Sequence, residues 1–179
     1  MRAVAVAVVC TGLILGGCKE SQITVVDVPK PVAPMPSSTS QANLSRFHVA
    51  LPSGWKAVAA GPMRLAQYSV FDGGIDVSVT TLPGDAGGAL SNINRWRGQL
   101  QLAPLSEPAG QSAITARQLG NYRYDYVRFM SRDGKKGVIG AIARIGNDTW
   151  FFKATGPQDQ LVKMTSQFDA FLASVEVDQ

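Results

Sequence analysis

Between Gly87 and Leu102 the hydrophobic period of this chain becomes that of a helix, while the segments on either side keep the period of a strand. Wound at about 100° per residue, Leu90, Ile93, Trp96 and Leu100 fall in an arc of about 120°, the width of one buried stripe. Asn92, Asn94, Arg95 and Gln99 fall outside it. Arg97 projects from within the stripe. Its stem must run along a core edge with the head in water, or its guanidinium must find a buried partner. An amphipathic helix set among strands has one place for its apolar face, which is against a sheet.

The flanking alternations supply that sheet. Phe47, Val49 and Leu51 alternate with His48 and Ala50, which predicts a half-buried strand. Leu65–Val70 is a second strand, turned by Asp72-Gly73-Gly74 into a third, where Ile75, Val77 and Val79 interleave with Asp76, Ser78 and Thr80. Pro104 and Pro108 mark a loop after the helix. Four strands follow over Ile114–Leu119, Asn121–Met130, Val138–Ile145 and Thr149–Ala154. Thr155-Gly156-Pro157-Gln158 reads as a helix start, with Thr155 or Gly156 capping and Pro157 in the first turn. Leu161, Met164, Phe168, Phe171 and Leu172 then recur at helical spacing, and Ser174–Val177 is a closing strand. The expected fold class is α+β, an antiparallel sheet covered by helices.

The first residues belong to a different regime. Met1-Arg2 precedes an uncharged run from Ala3 to Leu15, too short for a membrane span of about 20 residues and of the right form for a secretory signal. Leu15-Gly16-Gly17-Cys18 resembles the lipobox of bacterial lipoproteins. That resemblance implies removal of residues 1–17, a diacylglycerol on the Cys18 thiol and an acyl chain such as palmitate on its amine. With several chains buried at about 0.8 kcal/mol per CH₂, such an anchor is effectively permanent. Lys19 follows in place of Asp, which by the enteric sorting rule implies the outer membrane, with the domain facing the periplasm. From Cys18 to residue 44 the chain is polar and rich in proline, with Pro29, Pro31, Pro34 and Pro36 ahead of Ser37-Ser38-Thr39-Ser40. That composition favours an extended tether over a packed core. The folded domain is expected over 45–177.

Within that domain Trp55, Asn92-Ile93-Asn94-Arg95-Trp96-Arg97-Gly98-Gln99, Gly140-Ala141-Ile142 and Trp150–Pro157 look like motifs of secreted bacterial proteins with the PsbP-like α/β/α sandwich, in the DcrB-like superfamily. The resemblance covers nearly the whole domain. It implies an assembly or binding module, a partner that is another envelope protein, and no cofactor. It carries no catalytic residue across, because relatives share a scaffold without sharing a chemistry.

The residues themselves narrow the function classes. Both cysteines, Cys10 and Cys18, precede the domain, which therefore has neither disulfide nor cysteine nucleophile. A formal charge of +4 is too mild for a nucleic-acid footprint. His48 is the sole imidazole, and no Gly-x-Ser-x-Gly elbow accompanies it. Nor is there an Asp-rich calcium loop or a phosphate or dinucleotide fingerprint. Three features remain as candidates. Arg95 and Arg97, beside Trp96, form a candidate partner-binding patch, because arginine and tryptophan are enriched at binding hot spots. They lie in a stretch, Ser91 to Lys136, with eight basic residues and three acidic ones. Tyr122, Tyr124, Tyr126 and Arg128 share one strand face, which either packs beneath a helix or lines an open groove. As a groove, with an acid such as Asp125, it would be the site of a periplasmic hydrolase or lyase. Lys153, among Trp150, Phe151 and Phe152, reads as an end-of-strand lysine reaching water, with a nucleophilic role as the alternative.

Overall fold

A computed structural model describes residues 46–178. The expectations for residues 1–17, for Cys18 and for the linker to residue 44 lie outside the described residues. The strands are β1 (Phe47–His48), β2 (Lys56–Ala57), β3 (Ala66–Val70), β4 (Ile75–Pro83), β5 (Thr115–Leu119), β6 (Tyr122–Met130), β7 (Lys136–Ile145), β8 (Asp148–Pro157) and β9 (Glu176–Val177). The helices are α1 (Ala89–Gln99), α2 (Glu107–Ala113) and α3 (Gln158–Ala173). Seven strands form one antiparallel sheet in the order β2-β3-β4-β8-β7-β6-β5, and β1 pairs with β9 in a separate ribbon.

The interior strand β7 shows why this is a sandwich. Its residues are buried from Gly137 to Ala143, on both faces, so each face must be covered. Ile139, Ala141, Ala143 and Ile145 belong to a core with Tyr124, Phe152 and the α3 residues Leu161, Met164, Phe168, Phe171 and Leu172. Val138 and Ile142 belong to the opposite core, with Val127, Phe129, Phe151 and the Ile93, Trp96 and Leu100 of the α1 region. The α3 stripe is the one the helical spacing marks. The domain is thus α+β, with helices on both faces of an antiparallel sheet.

Several local readings are corrected. The loop marked by Pro104 holds, but it ends at Ser106, and Pro108 belongs to a helix. Pro108 sits in the first turn of α2, where its missing N–H costs nothing, and Gly110 lets α2 close onto Leu90. Thr155, Gly156 and Pro157 extend β8, pairing with Val138, Gly137 and Lys136, so neither Thr155 nor Gly156 caps α3; Pro157 stands at the N-cap position, with no side-chain cap bond, and not in the first turn. Gly156 is needed there for space: a Cβ would crowd the Gly74 carbonyl at 2.5 Å. The strand expected from Phe47 to Leu51 stops at His48, the length that β9 can pair, and β2 is an added edge strand. Asn92 is buried although it lies outside the apolar arc. Its Nδ2 donates to the carbonyls of Ala86 (2.9 Å) and Gly88 (2.8 Å), satisfying backbone at the start of α1 that the preceding glycine turn leaves open.

One ion pair ties sheet edge to helix. Arg117 of β5 donates from Nη1 and Nη2 to the two oxygens of Asp169 on α3, at 2.7 and 2.9 Å, and lies 4.7 Å over the Tyr126 ring. That fork, chiefly through its hydrogen bond, holds the Arg117 pKa above its ordinary value. Asp169→Ala is expected to lower the unfolding free energy by about 1–2 kcal/mol, after allowing for partial exposure, and urea titration at neutral pH would read it.

Candidate functional site

Two positions apart on a helix means about 200° around its axis, so Arg95 and Arg97 leave α1 on different flanks of the buried Trp96. The structure does not bring them together. Arg97 takes the first of the two routes its position allows. Its Nε donates to the Ala103 carbonyl at 2.9 Å, and its guanidinium lies 5.0 Å over the Phe129 ring at the core edge. There it secures the chain after α1, with its charge in the last turn where the helix dipole favours a cation.

Arg95 has a different setting. It is exposed, and Nη1 donates to Asn92 Oδ1 at 3.1 Å. With Arg64 and Lys153 it lines a cleft of about 140 Å³ between α1 and the sheet, over Trp96, Phe151 and Leu82 and beside Ser78 and Thr80. Trp96 meets Phe151 edge-on, ring centroids 6.3 Å apart at 85°, which fixes an apolar floor. Arg64 Nη1 donates to both oxygens of Asp76 (3.3 and 3.0 Å), and Gln67 Nε2 donates to the same carboxylate at 2.6 Å. Among the described residues Asp76 is thereby the one carboxylate held by a cleft cation, against three positive groups.

Lys153 is not at a strand end. It lies within β8, opposite Ser78 on one side and Gly140 on the other, and is half-buried with Nζ donating to Gln99 Oε1 at 3.0 Å. Burial holds its ammonium below the ordinary lysine pKa. The charge of Arg64 depresses it further, and Asp76 partly restores it. The period-two rule could have found this position, since Phe151 and Lys153 share a strand face and Phe151 is the face α1 covers. Arg64 carries no such signal.

The tyrosine row is not a groove. Tyr124 and Tyr126 are buried against α3, Tyr124 donating its hydroxyl to the Leu172 carbonyl at 3.0 Å and Tyr126 packing 6.4 Å from the Phe168 ring. Tyr122 accepts from the Val177 N–H at 3.2 Å, and Arg128 reaches Thr165 Oγ1 at 2.9 Å. Burial pushes the Tyr124 and Tyr126 hydroxyls above their ordinary pKa. Asp125 lines the opposite face with Arg123, Ile142 and Arg144, so the row and this acid do not converge. His48 is exposed, at the outer position of the two-residue β1, with Nε2 3.1 Å from Asp178 Oδ2. Among the described residues no three His, Cys, Asp or Glu side chains gather as a metal site requires, and no helix is long and apolar enough to cross a membrane.

Neither a protein-family model nor a curated protein sequence matches the chain. Solved structures match its fold. A protein of Bacteroides thetaiotaomicron VPI-5482, solved at 1.50 Å, aligns with TM-score 0.51 at 15% identity over 76% of this chain, which spans only 46% of that one. Cyanobacterial PsbP (CyanoP) of Synechocystis sp. PCC 6803 aligns with TM-score 0.47 at 13% identity, covering 83% of this chain and 100% of its own. LpqN of Mycobacterium tuberculosis, described as involved in cell envelope biogenesis, aligns with TM-score 0.48 at 10% identity, covering 74% and 83%. At such identities the likeness speaks to the fold alone, a helix-covered antiparallel sheet.

Proposed function

We propose that this chain is a cell-envelope lipoprotein, anchored at Cys18, whose PsbP-like domain is a non-catalytic binding or assembly module for another envelope protein. The observation that carries the reading is the cleft beside α1. There an exposed arginine, a second arginine and a half-buried lysine stand around a fixed aromatic floor. Arginine beside a packed aromatic, held on rigid elements, is the composition of an interface hot spot. The tyrosine face, on which an enzymatic site would have to be built, is occupied by α3. Leu15-Gly16-Gly17-Cys18 supports the anchor, and Lys19 supports the outer membrane as its place.

Crosslinking and pull-down from membranes would test the module, with wild type set beside Arg95→Ala. A partner captured by wild type and reduced about tenfold in the variant is the expected result. Equal capture by both, or none by either, would overturn the reading. For the anchor, Cys18→Ser should lose the acyl label and leave the membrane fraction. A variant that keeps both is not anchored at that residue.

A further inference from the structure

We propose that the cleft bounded by Arg64, Arg95 and Lys153 receives one carboxylate side chain from an acidic segment of the partner protein. The inference rests on the binding-module reading and names the chemistry its site accepts. The cleft holds more donors than acceptors. Arg64 uses one nitrogen, Nη1, on Asp76, and Arg95 uses one, Nη1, on Asn92. Neither has a partner for Nε or Nη2 among the described residues. Lys153 gives one hydrogen bond of a possible three, to Gln99. The carboxylate and amide acceptors at the cleft are engaged, Asp76 by Arg64 and Gln67 and Asn92 Oδ1 by Arg95, which leaves the neutral Ser78 and Thr80 hydroxyls on the lining. Two guanidinium forks and an ammonium around one space fit an oxyanion that arrives from outside.

Size and lining choose among oxyanions. Pockets for whole small molecules run to about 300–1,000 Å³. This one, of about 140 Å³, suits a single side chain. Its floor of Trp96, Phe151 and Leu82 is apolar, so the part of the ligand next to the charge should be apolar too. Aspartate and glutamate side chains meet that description through the methylenes beside the carboxylate, whereas inorganic phosphate offers no such stem. Burial is the larger cause of the lowered Lys153 pKa and the Arg64 charge adds to it; the charge of an incoming carboxylate acts in the opposite direction.

The test uses the full chain in detergent with three probes at constant ionic strength: a capped oligoglutamate peptide, its oligoglutamine counterpart and inorganic phosphate. Oligoglutamate should bind and oligoglutamine should not. Arg95→Gln and Lys153→Met should each weaken oligoglutamate binding about tenfold, while Lys135→Gln, on the β6–β7 hairpin, leaves it unchanged. Urea midpoints establish that each variant is folded. In the wild type, the pH midpoint for acylation of Lys153, read by peptide mass mapping, should move up when oligoglutamate is bound. Wild-type affinity in both cleft variants, an unmoved Lys153 midpoint, or displacement of the peptide by equimolar phosphate would overturn the assignment. Membranes that yield no partner sink the binding-module reading. A captured partner that oligoglutamate fails to displace sinks only the carboxylate.

Discussion

Phe152→Ala should lower the unfolding free energy by about 3–5 kcal/mol, enough to leave a domain of ordinary stability barely folded. The ring is fully buried on the α3 face of the sheet. Around it stand Tyr124 at 5.7 Å and Phe171 at 6.2 Å, both edge-on, Trp150 stacked at 6.4 Å and Phe47 at 6.4 Å. Truncation removes the transfer energy of the ring and leaves a cavity. The walls cannot close over it, because the aromatic neighbours are fixed on three separate elements, β6, β8 and α3, and on the β1 ribbon. The loss should fall hardest on that ribbon, which Phe47 holds down through Phe152 and a 5.6 Å stack on Trp150. Urea titration gives the equilibrium value as a shift in midpoint at unchanged slope. Val162→Ala, exposed on α3, is the matched control and should change stability by less than about 0.5 kcal/mol. A Phe152→Ala cost as small as the control's would mean the aromatic layer is not close-packed.

How much of this was readable in the chain follows from where each signal resides. The α3 stripe was readable because five apolar residues repeat over a helix with no competing signal, and all five are buried. The β4 alternation was readable for the same reason. The misreadings occur where a local preference meets a tertiary partner. Thr155-Gly156-Pro157 has the form of a helix cap, yet three strand pairs with Gly137 and its neighbours outweigh a cap of about 1 kcal/mol. Pro104 does lie in a loop, but Pro108 signalled one and instead starts α2, because proline breaks a helix interior and starts a helix equally well. Asn92 falls outside the apolar arc by helical phase, and the turn before α1 buries it by supplying the Ala86 and Gly88 carbonyls. The site divides in the same way. Arg95 was legible from helical phase. Arg64 was not, because its place in the cleft depends on the β3–β4 hairpin docking through β4 onto β8, a pairing across about 75 residues that no local pattern encodes.

The second large effect concerns the seat of α1, and it should appear as a failure of additivity. Gly140, in the middle of β7, lies directly beneath the Trp96 indole, where a Cβ would overlap the ring. The quoted Gly140-Ala141-Ile142 and Asn94-Arg95-Trp96 motifs are therefore two halves of one contact. Trp96→Ala should cost about 3–5 kcal/mol as a cavity, and Gly140→Ala should cost about 1–3 kcal/mol as overpacking. Combined, the costs should not sum. With the indole gone, the added methyl enters vacant space, so Gly140→Ala in the Trp96→Ala background should be neutral or stabilising, a coupling of about 1–3 kcal/mol. The same pair reports on binding. If the indole sets the depth of α1 on the sheet, Gly140→Ala should weaken Arg95-dependent capture while leaving the domain folded, since it lifts α1 directly across from Lys153. Phe152→Ala, on the other face, should alter capture only through the fraction unfolded. Strict additivity of the two substitutions would mean that Trp96 does not rest on Gly140, and the cleft would then lose the floor on which its shape depends.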